Sequence, residues 1–106
     1  MSNEMKYKID FDSVQWSSPM DGVRHKIFPF QEKKLRLVEY FSDMEPHWCE
    51  RGHVGYILDG QFQIEFDDGS QVFDAGDGVI IPNGPDHKHK AKVLSEVVKA
   101  IFIEDA

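Results

Sequence analysis

Asp59-Gly60-Gln61-Phe62-Gln63-Ile64-Glu65-Phe66-Asp67-Asp68-Gly69 reads as turn, strand, turn. Gln61, Gln63 and Glu65 are polar while Phe62, Ile64 and Phe66 are apolar, and a period of two puts one face of an extended chain in a core and the other in water. The Asp-Gly pairs at both ends supply the residue that tolerates the positive φ of a tight turn. Outward from this segment the same punctuation recurs at Asp21-Gly22, Ala75-Gly76-Asp77-Gly78 and Asn83-Gly84-Pro85. It separates the runs Lys33–Phe41, Val54–Leu58, Gln71–Phe73, Val79–Ile81 and Val93–Ile103, which carry β-branched and aromatic residues. Short strands between regularly spaced turns predict an all-β sandwich or barrel. The one helix-like stretch, Lys92–Lys99, contains Val93, Val97 and Val98 and runs on into Ala100-Ile101-Phe102-Ile103, which favours strand.

The chain has 106 residues, room for one domain, and 41% of them are hydrophobic, enough for an ordinary globular core. We expect that domain over residues 20–106, preceded at 1–19 by a polar arm in which Val14-Gln15-Trp16 is the candidate edge strand. Twelve Lys and Arg against 19 Asp and Glu give a net charge of −7, which opposes binding to nucleic acid or to an anionic membrane. Cys49 is the single cysteine, so no internal disulfide can form and a reducing compartment is expected. Met1–Lys6 lacks the pattern of a signal peptide and no apolar run reaches membrane-spanning length, so the expected location is the cytoplasm.

Five histidines occur, and four of them crowd into two windows beside turn residues. In Glu45-Pro46-His47-Trp48-Cys49-Glu50-Arg51-Gly52-His53, His47 and Cys49 are two apart and share a face of an extended chain. Gly52 permits a tight turn that returns His53 on a neighbouring strand. In Pro82-Asn83-Gly84-Pro85-Asp86-His87-Lys88-His89, the same spacing puts His87 and His89 on one face. Imidazole and thiolate are ligands for a borderline metal such as zinc or iron, although nothing local joins the two windows.

The windows resemble the paired motifs of the cupin superfamily, G-x5-H-x-H-x3-E-x6-G and G-x5-P-x-G-x2-H-x3-N. His47 matches the first histidine, Cys49 stands where the second histidine falls, His53 stands at the glutamate, and Gly60 matches the closing glycine. Gly76, Pro82, Gly84 and His87 match the second motif at full spacing, whereas Phe41 and Ala91 depart from the pattern. The resemblance implies a small double-stranded β-helix, or jelly-roll barrel, with a metal set of His47, Cys49, His53 and His87. It also implies a homodimer and a small-molecule ligand in the barrel cavity. Both substituted positions still carry metal-ligand residue types, so the site reads as altered rather than lost.

Cys49 has three readings, as ligand, as a packed small hydrophobe or as a catalytic thiol. His89 is a candidate fourth ligand or proton carrier, and Glu45 stands in the same relation to His47, with a solvated charge as its simpler reading. His25 reads as a surface histidine. Arg24 and Arg36 precede the first motif, where a guanidinium aimed inward would clamp a carboxylate, although exposure is the safer expectation. Lys88, Lys90 and Lys92 form an outer solvated row. The functional expectation is a metal-dependent isomerase, lyase or oxygenase acting on a small soluble molecule, with a non-catalytic metal- or metabolite-binding barrel as the alternative. Three histidines without a carboxylate leave a divalent ion its full charge of +2, and a thiolate lowers it to +1.

Overall fold

The computed structural model describes residues 7–106, in which the alternating runs of the sequence become ten strands. These are β1 (Ser17–Met20), β2 (Val23–Phe30), β3 (Lys33–Phe41), β4 (Trp48–Cys49), β5 (His53–Asp59), β6 (Gln61–Phe66), β7 (Gly69–Asp74), β8 (Gly78–Ile81), β9 (His89–Val93) and β10 (Val97–Asp105). They form a six-stranded sheet in the order β1-β2-β3-β10-β5-β8 and a four-stranded sheet in the order β4-β9-β6-β7. All pairings are antiparallel. Sheet changes occur at short turns. Gly60, at φ +88°, hands the chain from β5 to β6, and a Cβ there would strike the Val97 carbonyl oxygen.

The run Val93–Ile103 is not one strand. It breaks at Leu94–Glu96, where the chain crosses from the smaller sheet to the larger. Ser95 holds the corner: its hydroxyl donates to the Val97 carbonyl at 2.8 Å and accepts the Gln61 amide at 3.0 Å. The edge strand also falls later than the sequence suggested, at Ser17–Met20 rather than Val14–Trp16, which follows a short 3-10 turn at Phe11–Ser13. Trp16 is instead held by cations, with the Arg24 guanidinium 4.1 Å and the Lys26 ammonium 4.8 Å from its ring. The first six residues of the expected arm lie outside the described residues.

Period-two alternation decides what faces the interior. Val38, Ile57, Val79, Val98, Ala100 and Phe102 are almost fully buried between the two sheets, joined by Phe62 and Ile64 from the smaller one. On the opposite face of the larger sheet, register aligns Ile80, Val54, Ile103, Leu35 and Phe28 in one row across five strands. Ile80 in that row is 80% exposed. The two faces therefore predict opposite mutational costs. Ile57→Ala should lower the unfolding free energy by about 2–5 kcal/mol in urea titration, through lost burial plus a residual cavity. Ile80→Ala should stay within about 0.5 kcal/mol.

Candidate functional site

The inward faces do not fill the barrel completely. A cavity of about 280 Å³ remains, walled from the larger sheet by His25, Lys34, Arg36, Tyr40, His53 and Glu104 and from the other side by His47, Cys49 and His89. Arg51 and Met44 also border it. Each polar wall residue occupies a core phase of its strand: His25 pairs with Val38, Phe102 with Arg36, and Glu104 with Lys34.

Glu104 stands at the centre of the polar network. Its Oε2 accepts from His53 Nδ1 at 2.6 Å and from Arg36 Nη1 at 3.1 Å, while Lys34 Nζ lies 3.9 Å from Oε1. Burial alone would raise this carboxyl's pKa, but the hydrogen bonds and charges of His53 and Arg36 outweigh it and hold the pKa below the ordinary value. Glu104 is therefore an ionised acceptor at neutral pH, and His53 Nδ1 must be the donor. Arg36 reaches in two directions, because its Nε also donates to His25 Nδ1 at 2.8 Å. Tyr40 is pushed up to about 12 by burial, with the nearby Glu104 charge adding to the rise, so its phenol keeps its proton.

The second window behaves differently from its linear spacing. Gly84, at φ +118°, and Pro85 open a 3-10 turn that runs through His87, so β9 begins only at His89. His87 and His89 thus do not share a strand face, as their spacing had suggested. His87 sits exposed on the turn, outside the cavity wall, and its carbonyl accepts from His89 Nδ1 at 3.0 Å. His89 is only 4% exposed, and its Nε2 is buried without a hydrogen-bond partner. Burial lowers the His89 pKa, the His87 carbonyl works against that, and His53 and His47 add to the lowering, so the ring is neutral.

The first window brings His47, Cys49 and His53 to the cavity wall, although the strand there is only Trp48–Cys49 and His47 precedes it. His47 lies at the exposed mouth with Nδ1 3.3 Å from the Glu45 carbonyl, and Cys49, half-buried, is the direct cross-strand partner of His89. His53 enters on β5 and meets His89 edge to face, with ring centroids 5.2 Å apart. Gly52 matters here for close approach rather than for φ. A Cβ would strike the Ile81 carbonyl, and the Gly52 amide donates to Asn83 Oδ1 at 2.6 Å, tying the two windows together. The Glu45 side chain stays in solvent.

Arg24 and Arg36 take opposite faces: Arg24 packs outward on Trp16 and Arg36 points into the cavity. Neither His25 nor Glu104 stood out in the motifs, yet both line the site. Among the described residues, no three His, Cys, Asp or Glu side chains converge closely enough to hold a metal ion.

No family model matches the sequence, and no curated protein matches it. Solved structures match in shape. The structure of KdgF from Halomonas sp. superposes with a TM-score of 0.71 at 20% identity, over 90% of this chain and 91% of that one. A sugar phosphate isomerase from a cupin superfamily, from Silicibacter pomeroyi, gives 0.73 at 17% identity over 93% of this chain and 75% of its own. An RmlC-like cupin from Shewanella frigidimarina gives 0.70 at 16% identity over 94% and 92%. Identities this low carry architecture and not chemistry. Two antiparallel sheets enclosing one cavity, superposing on cupins over more than nine-tenths of the chain, make this a cupin fold: an all-β jelly roll of the double-stranded β-helix type.

Proposed function

We propose that the cavity is a metal-assisted reaction site for a small organic anion, with proton-transfer chemistry of the isomerase or lyase kind. The observation that carries this reading is the hydrogen-bond partner of Nδ1 in three histidines. His47, His53 and His89 each have Nδ1 on an oxygen that can only accept: the Glu45 carbonyl, the Glu104 carboxylate and the His87 carbonyl. In its neutral form each ring therefore carries the proton on Nδ1 and presents a bare lone pair on Nε2. Metal-ligating histidines have this arrangement, with the far nitrogen hydrogen-bonded to an oxygen acceptor. The buried, unpartnered Nε2 of His89 is costly unless something electrophilic meets it.

The donor types are those of zinc or iron, but the three rings do not converge in this structure, so an ion would have to draw His47, His53 and His89 together onto itself, with Cys49 in the adjoining wall. When bound, such an ion supplies Lewis-acid polarisation of a substrate oxygen. The chain's own residues do the rest. Glu104 fixes the tautomer and orientation of His53, and Tyr40 offers a hydroxyl donor that does not ionise near neutrality. Lys34, Arg36 and Arg51 line the cavity against a single carboxylate, reversing the sign of the −7 chain and favouring an anion. A volume of about 280 Å³ suits a metabolite rather than a polymer.

One observation favours the binding-barrel alternative. Cys49 lies directly opposite His89 in register, so a thiolate joining the three imidazoles would complete four ligands and close the site to substrate. X-ray absorption on the metal-loaded protein separates the two: a shell of nitrogen and oxygen alone supports the reaction site, and a sulfur ligand supports the closed one. Protein purified without a histidine tag should carry about one zinc or iron per chain. His53→Ala and His89→Ala should lose it and His87→Ala should keep it. Glu104→Gln should weaken metal binding by about 10–100-fold in a chelator competition, because His53 loses its charged anchor. Near-zero metal in the parent and all variants overturns the metal reading.

The reading includes a homodimer through the outer face of the larger sheet. A chain of net charge −7 repels its copy wherever acids are exposed, but the row Ile80, Val54, Ile103, Leu35 and Phe28 has none. The neighbouring Glu39 is paired with Arg24 at 2.7 Å and Lys99 at 3.5 Å. A two-fold axis would match such a face to itself. Light scattering should give a dimer mass for the parent and a monomer mass for folded Val54→Lys/Ile80→Lys, and a monomeric parent overturns it.

A further inference from the structure

We propose that His25 and Lys34, organised by Arg36, form an oxyanion subsite in this cavity, separate from the three lone-pair imidazoles, that takes the carboxylate or phosphate group of the bound molecule. It rests on the reading that the cavity holds a small organic anion, and it identifies where the charged end goes.

The hydrogen bond between Arg36 and His25 decides the polarity. Arg36 Nε is a donor and nothing else, so the His25 nitrogen it meets at 2.8 Å, Nδ1, must accept. The proton of neutral His25 is therefore on Nε2, the opposite tautomer to His47, His53 and His89. In their neutral forms the imidazoles of this cavity are thus of two kinds: three whose Nε2 presents a lone pair and one whose Nε2 presents an N–H. A lone pair suits a cation, and an N–H suits an oxyanion. Burial first, and then the charges of Arg36 and Lys34, disfavour protonation of His25, so this neutral donor state persists.

Lys34 supplies the charge. Its side chain is 19% exposed, and at 3.9 Å from Glu104 Oε1 it feels the carboxylate without hydrogen bonding to it. Among the described residues its ammonium approaches the Glu104 carboxylate at 3.9 Å and donates no hydrogen bond, which leaves its N–H groups for a ligand. Both residues point inward from the paired strands β2 and β3, with Arg36 two residues along β3 from Lys34. Arg36 itself is spent on His25 and Glu104, which makes it a positioning residue rather than the anion's direct clamp.

Nitrogen-15 NMR of the histidine rings in the full chain tests the idea without any variant. His25 should show a protonated Nε2 and an unprotonated Nδ1, and the reverse tautomer overturns the proposal. Inorganic phosphate and acetate, titrated separately, should shift the His25 Nε2 signal. A response to phosphate alone assigns a phosphorylated ligand, a response to acetate alone assigns a carboxylate, and no response to either overturns the subsite. Lys34→Met should weaken the responding anion about tenfold, as expected for loss of a charge-assisted hydrogen bond, with metal content unchanged. Anion binding at His25 in protein that carries no metal leaves the subsite standing and removes only the metal reading. Metal bound at the three imidazoles, with His25 silent to both anions, does the converse.

Discussion

A carboxylate facing the interior of a small barrel has to be neutralised where it stands, and Glu104 is neutralised by two side chains from two other strands. Its Oε2 takes hydrogen bonds from His53 on β5 and Arg36 on β3, while Glu104 itself belongs to β10 between them. The three central strands of the larger sheet are thereby joined on their inner face by side chains as well as by the ladder. Removing one partner from such a buried set typically costs about 3–5 kcal/mol, because the remaining charges are left unpaired. The consequence for chemistry is more specific than the consequence for stability. Glu104 forces the proton of His53 onto Nδ1, and Arg36, oriented by the same carboxylate, forces the proton of His25 onto Nε2.

Much of the fold was written in the alternation. Gln61–Phe66 and Lys33–Phe41 have the strand limits that their runs suggest, because polar and apolar positions alternate up to a turn residue. The features that escaped were those set by tertiary pairing. Val93–Ile103 has no strong breaker at Leu94-Ser95-Glu96, and only the need to cross between sheets interrupts it. Arg24 does lie on a strand before the first motif, but β2 shows no clean polar-out alternation, because Arg24 and Lys26 on its outer face pack on Trp16.

The site was legible in part and for a definable reason. Motif spacing drew attention to His47, Cys49 and His53, which do gather at one cavity. It also drew attention to His87, which the 3-10 turn from Pro85 leaves outside, moving His89 inward in its place. Short motifs assume a local conformation, and one turn of different geometry shifts which residue points in. His25, Arg36 and Glu104 carried another signal, that of phase. Glu104 follows Val98, Ala100 and Phe102 at every second position, and Arg36 precedes Val38 and Tyr40 in the same way. A charged residue in register with core positions either costs a great deal or has a partner across the barrel.

The charge balance of the whole chain acquires a different meaning at this scale. Acidic residues outnumber basic ones and set the outer field, yet the cavity wall carries Lys34, Arg36 and Arg51 against Glu104 alone. Glu104 is shared between His53 and Arg36, and against it the wall sets three cations, so the formal charge of the lining is positive. A positive interior behind an acidic exterior admits an anion only if the attraction inside exceeds the repulsion at long range, and the two act over different distances. At physiological ionic strength the outer charges are screened beyond about 8 Å, whereas low-dielectric walls leave the inner ones effective. On the proposed reading, selection for an anion is therefore made within the cavity by Lys34, Arg36 and Arg51, and not by the overall charge of the protein.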